Sequence, residues 1–238
     1  AAPITTFTER NKRVNSVYGT ATLSYANKIF LDVTGRNDWS STLPSGNNSF
    51  FYPSVSTSFI LSDLLRLPEQ ISFAKLRASW AQVGNDTAPY KTAKYYNTSA
   101  FPGSASVSST LYNARFKPEI SNSIEVGLDW RMFKQRFGLD LAFYNNITRN
   151  QILDVPMDQT TGYTKATMNS GKVRNRGIEL QLDGTPVKTK NFTWNSTFTW
   201  AKNYNKVLSL AAGLTDGQTI AYTGGTNCAL IAKVGGSI

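Results

Sequence analysis

Apolar and polar residues alternate with a period of two along most of this chain, most clearly in residues 123–153, SIEVGLDWRMFKQRFGLDLAFYNNITRNQIL. Ile124, Val126, Leu128, Trp130 and Met132 alternate with Glu125, Asp129 and Arg131. That spacing sends the two sets to opposite faces of an extended strand. Phe133 and Phe137 bracket a polar turn, Lys134-Gln135-Arg136, after which Phe137, Leu139, Leu141 and Phe143 oppose Gly138, Asp140 and Ala142. Each arm runs about ten residues, the length a tilted strand needs to cross a bilayer. A soluble sheet can alternate in the same way, so the hairpin alone leaves both readings open.

The rest of the chain repeats the pattern. Val17, Gly19, Ala21, Leu23 and Tyr25 alternate with Tyr18, Thr20, Thr22 and Ser24, and after a turn at Ala26-Asn27-Lys28 the residues Ile29, Leu31 and Val33 oppose Phe30, Asp32 and Thr34. Residues 35–52, rich in turn formers, predict a long ordered loop. A strand with Val55, Thr57, Phe59 and Leu61 on one face follows, then a short helical turn capped by Ser62 and ended by Pro68. Residues 73–83 predict a strand with Leu76, Ala78 and Trp80 set against Lys75, Arg77 and Ser79. Two further long loops are expected at 84–118 and 148–174. After the second of them, Ile178, Leu180 and Leu182 oppose Glu179, Gln181 and Asp183, and Phe192, Trp194, Phe198 and Trp200 oppose Thr193, Asn195, Thr197 and Thr199. The turn between these last two strands is expected at 185–190, and the pattern fades beyond Asn203.

This gives about eight strands in four hairpins, with short connections inside each hairpin and long ones between hairpins. Compact soluble domains rarely carry repeated loops of that length, whereas transmembrane barrels pair short periplasmic turns with long extracellular loops. The fold class expected is therefore all-β, an antiparallel transmembrane β-barrel. Leu128, Trp130, Leu139, Leu141, Phe143, Leu180, Trp194 and Trp200 are expected to face lipid, and Glu125, Asp129, Asp140, Glu179 and Gln181 to face the lumen. Trp130, Phe133, Phe137, Tyr144, Trp194 and Trp200 are read as interfacial girdle aromatics.

Composition narrows the chemistry. The 238 residues contain no run of eighteen apolar residues, so a transmembrane helix is not expected, and the polar mean hydropathy of -0.30 suits a barrel in which alternate residues meet lipid. The opening AAPITTFTERNKRVN has no hydrophobic core of a signal peptide. Histidine is absent and Cys228 is the single cysteine, which excludes Ser-His-Asp and Cys-His catalysis, imidazole or thiolate zinc sites and an intrachain disulfide. The net charge of +10 is scattered through the expected loops, giving no block for nucleic acid; it reads first as a solvated loop surface, with contact to anionic lipid headgroups or an acidic ligand as the alternative. The strand carboxylates Asp32, Asp129, Asp140, Glu179 and Asp183 are spread too widely for paired-carboxylate catalysis, so no catalytic residue, cofactor or metal is assigned. Asp38 and Trp39 in the first long loop, with Tyr90, Tyr95 and Tyr96 in the second, are candidates for stacking on sugar or peptide.

Four stretches carry a family resemblance: LDVTGRNDWSSTLPSGNNSFFYPSVS, KLRASWAQVGND, FKPEISNSIEVGLDWRMFKQRFGLDLAFYNNITRNQIL and NSGKVRNRGIELQL. In that order they resemble the SusC/RagA type of TonB-dependent outer-membrane transporter of Bacteroidetes. The resemblance implies a 22-stranded, plugged barrel in the cell outer membrane that imports oligosaccharides or peptides. It also implies energy relayed by TonB, a SusD-like surface lipoprotein as lid, and contact with outer-membrane lipid and lipopolysaccharide. Neither a plug nor a TonB box is legible here, and about eight strands cannot close so wide a barrel. The expected organisation is a lead-in at 1–13, a contiguous wall segment at 14–206 and a loop or tail at 207–238. A soluble all-β glycan-binding module and a passive porin are the alternative readings.

Overall fold

The computed structural model describes residues 9–98, 103–210, 218–222 and 229–237. In chain order its strands are β1 (Val14–Tyr25), β2 (Ile29–Ser40), β3 (Ser49–Ile60), β4 (Ile71–Asn85), β5 (Tyr96–Thr98), β6 (Ala105–Val107), β7 (Thr110–Leu111), β8 (Glu119–Met132), β9 (Phe137–Arg149), β10 (Ile152–Pro156), β11 (Lys165–Asn169), β12 (Lys172–Lys188), β13 (Thr193–Ser209), β14 (Gln218–Tyr222) and β15 (Ala229–Ala232). Eight long strands form one sheet in the order β1-β2-β3-β4-β8-β9-β12-β13, every neighbour antiparallel. The sheet is a meander: each wall strand pairs with the wall strand that follows it in the chain. The short strands belong to the long connections, where β5 pairs β6, β10 pairs β11 with β7 added in parallel, and β14 pairs β15.

Register carries each face of one strand onto the same face of the next. Leu76, Leu128, Leu141, Leu180 and Trp200 stand in one row across β4, β8, β9, β12 and β13. On the other face Asp129 opposes Asp140, and Asp140 opposes Gln181. A one-residue slip would exchange the faces of a whole strand, so the alternation in the sequence fixes the pairing. The connections at residues 26–28, 61–70, 133–136 and 189–192 gather at one end of the sheet, and those at 41–48, 86–118 and 150–171 at the other. In the β1–β2 turn Ala26 and Asn27 both take positive φ, 51° and 54°, and Lys28 N–H donates to the Tyr25 carbonyl at 2.9 Å. Those values are the left-handed ones of a mirror-image turn, and since Tyr25 pairs with Ile29 the connection is three residues long. Phe133, Lys134 and Gln135 hold positive φ in the β8–β9 turn.

Several strand limits differ from the sequence reading. Residues 35–40 continue β2 and residues 49–52 open β3, so the first long connection is residues 41–48 alone. β12 runs on to Lys188 through a register shift between Gly184 and Val187, so its turn is shorter than 185–190 suggested. β13 extends past Asn203 to Ser209. Leu61 leaves the strand to begin a helix over Leu61–Leu64, which follows Ile60 and has no side-chain cap, so Ser62 does not cap it. Of the residues read as a girdle, Tyr144 lies on the polar face, opposite Glu125 and Gly177, and Trp200 stands mid-strand opposite Leu180. Aromatics do mark both ends of the apolar face: Tyr25, Trp130, Phe137 and Trp194 towards the short turns, Trp39, Phe51 and Trp80 towards the long connections.

The buried core sits among the connections at the long-loop end, not under the sheet. Phe116, fully buried, packs with Leu43 and Phe50, and Tyr52 and Ile152 close around them. These residues come from four separate segments, so one cluster ties the connections together.

Candidate functional site

The eight residues read as lipid-facing all fall on one face of the sheet, and the five read as lumen-facing fall on the other. The polar face is organised by side chains that reach across a whole strand. Arg77 on β4 passes over Gly127 on β8 and meets Asp140 on β9 with two hydrogen bonds, Nη1 to Oδ2 at 3.1 Å and Nη2 to Oδ1 at 2.9 Å. Its Nε also lies 3.7 Å from Glu125. A Cβ at position 127 would overlap the guanidinium, so the crossing needs a glycine there. Arg131 on β8 repeats the device: it passes over Gly138, where an added Cβ would sit 3.0 Å from Nη1, and reaches Asp183 on β12 at 4.0 Å while binding Asp129 at 2.9 Å. Tyr144 on β9 crosses β12 at Gly177 and its hydroxyl donates to Asn203 Oδ1 on β13 at 3.3 Å.

These bridges neutralise a face that pairs carboxylates directly. Asp129 and Asp140 are cross-strand partners, an arrangement that is unfavourable unless cations intervene. Arg131 serves the first and Arg77 the second. Asp183 accepts from Gln181 at 3.0 Å and from Thr197 at 2.8 Å, and Asp32 accepts from Thr22 at 2.7 Å. Glu179 has no hydrogen-bond or ion-pair partner among the described residues. Two shallow clefts flank Arg77. One of about 390 Å³ is lined by Asp140, Glu179, Gln181 and Thr199; the other, of about 300 Å³, by Asp32, Ser56, Lys75 and Glu125. Both are water-facing, hydrogen-bonding surfaces. Among the described residues no group of His, Cys, Asp or Glu is placed to hold a metal ion.

The five candidate ligand contacts do not form one site. Asp38 is buried on the polar face, where Arg36 Nε donates to it at 2.8 Å and the Tyr52 hydroxyl at 2.5 Å. Trp39, the next residue, points to the apolar face opposite Asn15 and Ser49. Tyr90 and Tyr95 do meet, in a cleft of about 500 Å³ shared with Glu9, Arg10, Ser41, Thr92 and Ala93. Tyr95 stacks on Tyr112 with centroids 5.6 Å apart and hydroxyls 3.0 Å apart, and the Tyr90 hydroxyl accepts from Asn11 N–H at 3.3 Å. Tyr96 is 74 % exposed on β5 and does not line that cleft. Asp154 joins two connections: it accepts from Lys165 at 2.8 Å and Thr167 at 2.6 Å, with Lys91 at 3.7 Å. Burial disfavours its charged form, but the Lys165 and Thr167 hydrogen bonds and the Lys91 charge outweigh that and lower its pKa.

Arg77, Gly127, Arg131, Gly138, Gly177 and Phe116 were not among the sequence candidates. The alternation placed Arg77 and Arg131 on the polar side, but the strand-crossing contacts depend on register across three strands and are not readable from one. A glycine recurring on the polar face of an otherwise well-filled strand is the signal that was available.

A meander with one apolar and one polar face, short turns at one end and long gathered connections at the other, is the wall of a transmembrane β-barrel. The chain belongs to the family described as TonB dependent receptor-like, beta-barrel, whose model matches residues 1–227. TonB-dependent receptor P26 of Formosa agariphila is 33% identical over 207 residues, which are 83% of this chain and 21% of the relative. TonB-dependent receptor SusC of Bacteroides thetaiotaomicron is 26% identical over 229 residues, 88% of this chain and 22% of SusC. The chain thus spans about a fifth of the length of these relatives. Among solved structures, the RagAB peptide importer in its closed-closed state shares the fold with a TM-score of 0.83 over 93% of this chain and 24% of that one, at 23% identity. TonB-dependent receptor barrels are outer-membrane proteins of Gram-negative bacteria and as a class transport rather than catalyse. Among the described residues no helix is long and apolar enough to cross a membrane, which says nothing about strands.

Proposed function

We propose that this chain is part of the barrel wall of a TonB-dependent transporter that imports oligosaccharides or peptides across the outer membrane of a Bacteroidetes-like bacterium. The observation that carries this reading is the separation of faces: register joins one broad apolar surface across the wall strands and sets every wall carboxylate on the opposite surface. The apolar surface is the lipid side, including Leu128, Trp130, Leu139, Leu141, Phe143, Leu180, Trp194 and Trp200. Glu125, Asp129, Asp140, Glu179 and Gln181 face the lumen or a plug, which the strand-crossing bridges hold flat. The wall strands run from Val14 to Ser209, three residues past the expected limit of 206. A SusD-like lipoprotein above the long connections and TonB acting through a plug are the partners proposed, supported by the kinship with SusC and the fold shared with RagAB. Tyr90 and Tyr95 in their cleft are the best-placed aromatic contacts for substrate.

The test is uptake of labelled oligosaccharides and peptides by cells with and without the full-length gene, before and after collapse of the proton-motive force. Uptake that needs both the gene and the proton-motive force is expected. Gene-dependent uptake that survives the collapse would mark a passive porin instead.

A further inference from the structure

Charge is divided unequally between the two faces of the wall. Every carboxylate in the eight wall strands, from Asp32 in β2 to Asp183 in β12, has a register position on the polar face. The apolar face carries cations only, and all of them lie on three neighbouring strands at the long-loop end. Arg149 opposes Lys172; Arg174 stands between Ile147 and Lys206; Arg176 stands between Asn145 and Tyr204; Lys202 opposes Ile178. The rows below them, Leu141-Leu180-Trp200 and Leu139-Leu182-Phe198, are wholly apolar. None of the six cations has a carboxylate partner among the described residues. Lys202 instead lies over the Tyr204 ring, 5.1 Å from its centroid.

We propose that the long-loop end of β9, β12 and β13 binds a phosphate-bearing lipid headgroup of the outer leaflet, held by Arg174, Arg176, Lys202 and Lys206. Rows on one face lie about 7 Å apart along a strand and strands about 4.8 Å apart, so cations from adjacent rows converge on a single phosphate. Guanidinium groups offer paired donors to phosphate oxygens, and lysine stems reach along an apolar surface while keeping the ammonium at the headgroup level. Arg176, Lys202 and Lys206 are exposed on this face of the wall, and the Arg174 Nε is buried without a hydrogen-bond partner among the described residues. A second copy docked by two-fold symmetry would set this patch against itself, so lipid is the occupant that charge complementarity selects. The assignment to the outer leaflet rests on the proposed orientation, with the long connections outside.

The full-length protein, purified in mild detergent, would be compared with the combined variant Arg174→Gln, Arg176→Gln, Lys202→Gln, Lys206→Gln. A control variant, Lys134→Gln with Arg136→Gln, removes cations at the opposite end. Each is exposed to bisphosphorylated lipid A and to the same glycolipid stripped of phosphate, and bound lipid is counted by native mass spectrometry. The combined variant is expected to retain at least about tenfold less phosphorylated lipid than wild type, the control to match wild type, and the stripped glycolipid to bind all three equally weakly. Millimolar inorganic phosphate is expected to leave lipid retention unchanged, which separates a headgroup site from one for free phosphate. Should the combined variant fail to reach the membrane, Arg176→Gln and Lys206→Gln alone are each expected to lower retention about threefold. Equal retention by variant and wild type, equal binding of the two glycolipids, or a dimer lost with lipid retention unchanged would overturn the proposal. Orientation is read separately, by labelling a cysteine at Ser106 in intact cells, so an inverted wall and an empty patch give different results.

Discussion

Arg77 and Asp140 are 63 residues apart in sequence and on strands that do not touch, yet they share two hydrogen bonds of 2.9 and 3.1 Å across the glycine of the strand between them. The pair ties three strands into one unit on the face that carries the charges. Both side chains are about one-third exposed, so water weakens the attraction. Exposed or partly exposed ion pairs are worth about 1 kcal/mol or less.

Gly127→Ala puts a methyl group where the guanidinium lies and should displace Arg77 from Asp140 at a cost of about 1 kcal/mol. Asp140→Asn should cost a similar amount, and the two together little more than either, because both break the same bridge. Urea unfolding of the reconstituted full-length barrel, arranged as a double-mutant cycle, measures this. Strict additivity would show that the bridge contributes nothing.

Leu141 stands in the apolar row between Leu128 and Leu180 and is 38 % exposed. Arginine there should cost about 2–4 kcal/mol against lipid. Tryptophan should be accepted, because lipid moves aside for a larger apolar group, whereas a protein core would pay about 1–3 kcal/mol for overpacking. Outer-membrane levels of the full-length variants decide it: near-normal for Leu141→Trp and strongly reduced for Leu141→Arg. Equal failure of both would place Leu141 against protein.

Phe116 anchors the gathered connections from the centre of their small core. Phe116→Ala removes a fully buried ring, a change that costs about 3–5 kcal/mol in well-packed sites. The wall strands should survive, since the cluster touches them only through Phe50 and Tyr52 at the start of β3. Limited proteolysis should therefore cut within residues 86–118 at least tenfold faster while the barrel stays resistant.

The Asp154 carboxyl has a pKa lowered from its ordinary 3.8 in the folded state, so its stabilisation is fully present above that value and is lost as the pH falls below it. Amide exchange in the β10–β11 hairpin should accelerate on acidification through this range, while a wall strand such as β9 stays protected. Asp154→Asn should exchange fast at neutral pH and show no further acid step at this site. An unchanged acid step in Asp154→Asn would assign the transition to another group.

The faces were legible in the sequence because a period of two needs only one strand to be read, and burial on one side enforces it. The strand ends were not, for a physical reason. Beyond the apolar band both faces meet water or loops, so β2 continues through Arg36, Asn37 and Asp38 with no alternation to betray it, and residues 35–40 look like a loop. β13 is lost past Asn203 in the same way. Among the candidate contacts, Tyr90 and Tyr95 meet in one cleft because the β4–β8 connection folds back on itself, whereas Asp38 and Trp39 diverge because adjacent residues of a strand must. Turn-rich composition hid that last fact, since it concealed the strand itself.

The central claim is that these strands cross the outer membrane with the long connections outside and the short turns in the periplasm. After replacement of Cys228, single cysteines at Ser106 and at Gln135 in the full-length protein would be challenged with a membrane-impermeant maleimide on intact cells. Ser106→Cys is expected to label at once, and Gln135→Cys only after the outer membrane is opened. Labelling of Gln135→Cys on intact cells together with protection of Ser106→Cys would contradict the account.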